Sequence, residues 1–403
     1  MVGALDAPAR RPRARAPPGA RARAPAARDR HPHRAGGPRR GRDRGGGGPV
    51  PGPAPRGAGR LTCPARHHAR RGLASGRAPP ARAATGRPAS GRRVSGRVVE
   101  LDGRRVLLTG LDAVLWPEVG LTKGDLLAYY LDVAEHLLPF LARRPMALLR
   151  GPDAVTGECV YQRTAPPGLP TWIATRRIRT GDTALGHAEY VVGADRATLA
   201  YLVNLGYISW HPWGCTVDAL DRPDLMVFDL DPTEIAFREV RHAALLVRSL
   251  LATFKIRSWV KTSGGRGLHV VVPLEPAYSF DQVLTAAAAI TRMARNREPS
   301  LFTVDMRRAR RRGKILIDVL RNRRGATLVS PYAVREYPEA TVSTPLDWAE
   351  LERSLYPEEF HVGTVRARLR ARGDPFADLF ANPQSLRPLL ESGRLRRTVR
   401  GAS

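Results

Sequence analysis

The stretch Leu225–Glu234 reads "LMVFDLDPTE". An apolar run ends in two aspartates one residue apart, followed by a proline. Carboxylates are rarely buried unless something offsets their desolvation. The run predicts a strand, in which residues i and i+2 share a side, so Asp229 and Asp231 face together. Pro232 is expected to stop the strand just after them, which leaves the pair open to solvent and ligand. Two carboxylates a few ångströms apart repel unless a cation or a shared proton lies between them. A hard divalent ion, Mn²⁺ or Mg²⁺, suits them, because such ions take oxygen ligands and keep positions for phosphates. The plainer alternative is a surface turn in which Asp231 caps the following helix.

Working outward, "PTEIAFREVRHAALLVRSLLATF" predicts a long helix after the acids. "SWVKTSGGRGLHVVVPL" predicts a strand, a glycine-rich turn and a second strand. "SFDQVLTAAAAITRMAR" reads as a helix, and "KILIDVLRN" and "ATLVSPYAVRE" as β-rich runs. Upstream, "RVVELDGRRVLLT" predicts two strands around an Asp102-Gly103 turn. In "LTKGDLLAYYLDVAEHLLPFL" an amphipathic helix starts at Thr122 and Asp125, which have capping-box spacing. "DRATLAYLVNLG" is a helix closed by Gly206, and "YISWHPW" a strand ending at His211 and Pro212. Strands and helices are interspersed without a strict βαβ rhythm, so the expected class is α+β, built on one or two mostly antiparallel sheets.

Further residues gain meaning from this frame. Asp318 lies in an otherwise apolar run, on the parity of Leu316 and Leu320. If its strand neighbours the first, three carboxylates converge, enough to hold two cations about 3.5–4 Å apart. A salt bridge to Arg321, Arg323 or Arg324 would account for Asp318 equally well. "KTSGGRGLHV" offers Ser263, the N–H groups of Gly264 to Gly267, and His269; consecutive N–H groups can cradle an anion, though an ordinary hairpin loop has the same look. His211 ends a strand beside a proline. Among the many arginines of "RRARRRGKILIDVLRNRRG" and "YAVRE", Arg321 and Arg335 are the expected cationic contacts for a triphosphate.

The 403 residues carry a net charge of +29. Residues 1–97 hold 24 arginines, no lysine and 3 aspartates, which leaves the remainder at +8. That segment is almost wholly Arg, Ala, Pro and Gly, too poor in apolar surface to offset ordering entropy, and is expected to be a disordered extension. An ordered domain is expected over residues 98–395. Cys63, Cys159 and Cys215 form no CxxC pair, which speaks against a disulfide framework or a zinc knuckle. No apolar run approaches the ~20 residues that cross a bilayer, so a cytoplasmic protein without membrane contact is expected.

The motifs "LTKGDLLAYY", "RPMALLRGPD", "NLGYISWHPW", "PDLMVFDLDP", "TSGGRGLHVVVPL", "GKILIDVLRNRRGAT" and "SPYAVRE", in that order over about residues 99–390, resemble the polymerase domain of bacterial ATP-dependent DNA ligase D. That family belongs to the archaeo-eukaryotic primase superfamily. The resemblance implies a primase-polymerase fold with two sheets, flanking helices and a central catalytic cleft. It implies addition of ribo- or deoxyribonucleotides to 3′ ends at DNA breaks or gaps, in non-homologous end joining assisted by Ku. By match, Asp229, Asp231 and Asp318 would be catalytic and hold two divalent cations. His211, Ser263, His269, Arg321 and Arg335 would contact the nucleoside triphosphate, and Lys123 and Tyr161 the DNA.

Two departures accompany the likeness. Gly110 and Ala113 stand where the family often has an asparagine and a lysine, so that Lys123 alone remains of the group that grips a 5′-phosphate. The paired template-stacking phenylalanines become Val160 and Tyr161, which implies weaker template binding. Sealing of the break is expected to come from a separate ligase. Two alternatives remain: a haloacid-dehalogenase-like phosphatase with Asp229 as nucleophile, for which "GDPFAD" imitates the last acidic motif, and a non-catalytic protein that binds DNA ends.

Overall fold

The computed structural model describes residues 60–61, 96–151, 154–181 and 185–392. All of them fall in one unit, residues 54–403; a second unit, residues 1–53, lies outside the described residues. The expected disorder of residues 1–97 also lies outside them, apart from residues 60–61 and 96–97.

An antiparallel hairpin, Gly96–Leu101 with Arg104–Thr109, opens the main run. Its turn places Asp102 at φ 49° and Gly103 at φ 70°, the left-handed pair that two-residue hairpins require. Helix Lys123–Asp132 follows, its N-terminus closed by the Thr122/Asp125 capping box. The single helix expected here is interrupted at Val133 and resumes as Ala134–Leu141, which contains Pro139. Helix Arg196–Asn204 ends before Gly206 at φ 87°, the glycine end-cap that the sequence suggests.

Two main sheets result. In the first, Pro145–Arg150 is central and pairs antiparallel with Tyr207–Pro212, Cys159–Gln162 and His187–Val192. Thr175–Arg179 and Arg60–Leu61 complete its edges. In the second, the order is Phe302–Thr303, Lys314–Asp318, Leu225–Thr233, Leu268–Pro273, Trp259–Thr262, Pro345–Leu346. Every neighbour is antiparallel except the first pair. The fold is therefore α+β with two mostly antiparallel sheets.

Strand alternation decides what the second sheet shows to each side. Met226, Phe228 and Leu230 are fully buried in the cluster that includes Val240 and Val247 of helix Phe237–Ala252 and Val283 and Ile290 of helix Phe280–Arg297. Burying each such side chain stabilises the sheet by about 1.5–3 kcal/mol. Asp229 and Asp231, at the alternate positions, are turned to the opposite side.

Three expectations about elements need correction. Pro232 does not stop the strand, which runs on to Thr233 against Ile315 and Lys314. Leu230 is the last residue paired to Leu268–Pro273, so beyond it the strand is paired on one side only, where a proline without an N–H is tolerated. Asp231 does not cap the next helix either, because that helix begins only at Phe237 with Ala236 as its N-cap. The expected strand in "ATLVSPYAVRE" is also absent: the segment makes single bridges, Thr327 to Trp213 and Val334 to Val342. Pro331 lacks an N–H and Tyr332 sits at φ 65°, which together break an extended run.

Candidate active site

Asp229 is the direct cross-strand partner of Asp318. Directly opposed residues of an antiparallel pair point to one face, so the register brings all three acids together. Asp229, Asp231 and Asp318 each offer a carboxylate oxygen, all within 4.8 Å of one another. The condition left open by the sequence, that the two strands be neighbours, is met.

The triad is threaded by other charges. Arg321 Nε lies 3.2 Å from Asp229 Oδ2 and 3.3 Å from Asp318 Oδ2. His269, opposite Asp229 across the strands, places Nε2 3.2 Å from Asp229 Oδ1. Burial would raise the Asp229 carboxyl, but His269 and Arg321 outweigh it and hold Asp229 below the usual carboxylate range. Asp231 moves the other way: partial burial and then the charge of Asp229 push it up. Its nearest cation, Arg311 Nη1, is 4.0 Å away. Three acceptor-only groups converging at this spacing, one with its charge opposed by its neighbours, fit a hard divalent cation.

Asp229 and Asp231 line a cavity of about 840 Å³ whose walls come from both sheets, while Asp318 is buried behind them and does not line it. His211 and Tyr161 enter from the first sheet; Asp229, Asp231 and His269 enter from the second, and Ser263 from the turn that joins two of its strands. Arg321 and Arg335 line it from connecting segments. Burial and then the charge of Arg335 hold His211 low, at about 3. Among the described residues neither its buried Nε2 nor the buried Nδ1 of His269 has a hydrogen-bond partner. Buried polar atoms of this kind call for a ligand or water.

The glycine-rich turn is shaped by close approach. A Cβ on Gly267 would lie 2.4 Å from the Leu230 carbonyl oxygen. At Gly264, φ is +70° and a Cβ would lie 2.6 Å from Arg335 Cγ. The N–H groups of Gly265 and Gly267 both donate to Ser263 Oγ at 3.1 Å. Two amides of the expected anion cradle are thus already engaged, but the Ser263 hydroxyl, accepting both, keeps its own hydrogen to donate. Arg335 Nη1 donates to the Ser263 carbonyl at 2.7 Å, tying this turn to the "YAVRE" segment.

The two residues expected to meet DNA separate. Tyr161 is not a free platform: its hydroxyl hydrogen-bonds Thr327, and its ring meets His211 edge-on at 5.1 Å. It belongs to the cavity wall, while Val160 beside it is exposed. Lys123 does not line the cavity. Its Nζ donates to the Asn204 carbonyl at 3.3 Å, and burial lowers its pKa. A Cβ on Gly110 would lie 3.6 Å from that Nζ, so a longer side chain there would meet the ammonium.

Sequence reasoning missed Arg311, whose side chain is 11% exposed and turned onto Asp231. Five arginines between 307 and 312 read as a solvated charged face, and nothing in the pattern singles out the inward one. Arg163, Glu336 and Tyr337 also line the cavity without having been singled out.

Paired sheets around a cleft, with a carboxylate triad at its edge and cations facing the acids, suit the binding of a divalent cation and an anionic ligand. Comparison with known proteins gives the particular family. Residues 122–376 match the family described as "LigD, primase-polymerase domain". The chain is 31% identical over 282 residues to the bifunctional non-homologous end joining protein LigD of Bacillus subtilis (strain 168), covering 70% of this chain and 45% of that protein. It is 33% identical over 279 residues to the multifunctional LigD of Pseudomonas aeruginosa, covering 67% and 32%. Among solved structures, the polymerase domain from Mycobacterium tuberculosis ligase D in complex with DNA superposes with a TM-score of 0.64 at 28% identity, covering 70% of this chain and 99% of that one. The chain belongs to the LigD primase-polymerase domain family, and it spans less than half the length of these curated relatives.

The phosphatase alternative is thereby overturned. Its last acidic motif also fails on geometry: Asp378 accepts hydrogen bonds from Arg257 and Trp259 and does not line the cavity. Among the described residues no helix is long and apolar enough to cross a membrane.

Proposed function

We propose that this chain extends DNA 3′ ends with nucleotides at breaks or gaps during non-homologous end joining, the process named for its relatives. The observation that carries the reading is the meeting of Asp229, Asp231 and Asp318 within 4.8 Å at the edge of a cavity large enough for a nucleotide. These three acids would hold two divalent cations, Mn²⁺ or Mg²⁺. When bound, such ions would lower the pKa of the primer 3′-hydroxyl and neutralise the leaving pyrophosphate.

The chain's own residues do the rest. Arg321 and Arg335 meet the negative charge of the triphosphate, and the Ser263 hydroxyl donates to it. Arg321, already shared between Asp229 and Asp318, helps His269 keep Asp229 ionised. His211 and His269 present their unpartnered ring nitrogens to the nucleotide from opposite sheets. Tyr161 braces His211, and Lys123 lies apart from the cavity as a contact for DNA phosphate. Ku and a DNA ligase activity complete the pathway.

The test is a primer-extension assay with Mn²⁺, labelled nucleoside triphosphates and a primer-template. The unaltered chain should extend the primer, and Asp229→Ala should lower the rate by about 10²–10³-fold or more, the scale of one central electrostatic group. Release of phosphate without extension would contradict the reading.

A further inference from the structure

Glu336 is a carboxylate in the cavity that the proposed chemistry leaves unused. It follows Arg335, its side chain is 19% exposed, and it lines the same cavity as Asp229 and His211. Its Oε2 lies 3.2 Å from Arg335 Nε, and its Oε1 3.5 Å from Arg335 Nη2. Burial raises its pKa, but Arg335 outweighs burial, so the carboxyl is held below its usual range and is ionised at neutral pH. Glu336 is not needed to place Arg335, whose Nη1 is held by the Ser263 carbonyl and whose guanidinium lies 5.5 Å from the centre of the Tyr337 ring.

An ionised carboxylate only accepts hydrogen bonds, and beyond Arg335 and its own N–H Glu336 keeps acceptor capacity toward the cavity. A triphosphate oxygen directly against it would meet like charge, so the phosphates reach Arg335 on the edge turned away from Glu336. The part of the nucleotide facing Glu336 must therefore be uncharged and carry donors. Donors on the base differ among the four nucleotides, and an enzyme that copies a template must accept all four. The donors common to all of them are the sugar hydroxyls, and two neighbouring hydroxyls match the two oxygens of one carboxylate. An acidic side chain plays this part toward ribose in dinucleotide-binding sites.

We propose that Glu336 accepts hydrogen bonds from the 2′- and 3′-hydroxyls of the incoming nucleotide and so reads its sugar. The assignment deepens the polymerase reading and rests on it. It makes Glu336 a specificity residue that acts in binding rather than in the chemical step.

The test is primer extension by the full chain with ribonucleoside, 2′-deoxyribonucleoside and 2′,3′-dideoxyribonucleoside triphosphates, comparing the unaltered protein with Glu336→Ala and Glu336→Gln. Glu336→Ala should raise KM about tenfold or more for the ribonucleotide, less for the deoxyribonucleotide, and leave the dideoxyribonucleotide nearly unchanged, with kcat little affected. Glu336→Gln, which keeps one acceptor oxygen and the side-chain volume, should lie between the two and carries the test if the alanine variant does not fold. An equal change for all three sugars would overturn the assignment and leave polymerisation standing, since Glu336 would then act only through Arg335. No extension by the unaltered chain would sink the polymerase reading, and this assignment with it.

Discussion

At His211, burial and the charge of Arg335 push the imidazole down to about 3 from an ordinary 6.5. A neutral ring can meet a nucleotide without adding charge beside Arg335. The folded chain then refuses a proton that the unfolded chain accepts, so the stability this residue contributes is full above about 6.5 and is lost as pH falls toward 3. The imidazole resonances of His211 should stay in the neutral form from pH 8 to pH 5; a titration centred near 6.5 in the folded protein would contradict this. The residue scale is also where the sequence was most legible. Acids in apolar runs are conspicuous, because burial must be offset, and Asp229 and Asp318 stand out for that reason. Arg311 was not legible, since its inward turn depends on the position of Asp231 and not on its own neighbours in sequence.

One side chain locks the two acid-bearing strands together at the level of elements. Asn322 follows Asp318 on a short 3₁₀ turn and is buried. Its Oδ1 accepts from the Val227 N–H at 2.8 Å, and its Nδ2 donates to the carbonyls of Val227 at 2.7 Å and Val319 at 2.9 Å. Asn322→Ala would strand these buried backbone groups and should cost about 2–4 kcal/mol, read from urea melts. A loss below about 0.5 kcal/mol would show that the strands are held without it. Element identity was largely readable from period and caps, as at Thr122 and Gly206. The failures fall where pairing overrides a local signal: Pro232 survives in a strand because one edge is open there, and "ATLVSPYAVRE" forms no ladder because Pro331 and Tyr332 interrupt it.

On the scale of the whole molecule, the site exists only because two sheets close around one cavity. The "ATLVSPYAVRE" segment stitches them: Ser330 N–H donates to the Trp210 carbonyl at 2.9 Å in the first sheet, and Tyr332 N–H donates to the Ser343 carbonyl at 2.7 Å near the second. Adjacency of Leu225–Thr233 and Lys314–Asp318 is a contact between residues about ninety apart in sequence, and no local pattern specifies it; only the ordered set of motifs suggested it. The most direct measurement is anomalous diffraction at the manganese edge from crystals of the chain grown with Mn²⁺ and a non-hydrolysable nucleoside triphosphate. The account predicts manganese peaks within coordination distance of Asp229, Asp231 and Asp318, with the triphosphate reaching Arg321 and Arg335. Manganese bound elsewhere, or a nucleotide seated in the cavity with no metal at these three acids, would contradict it.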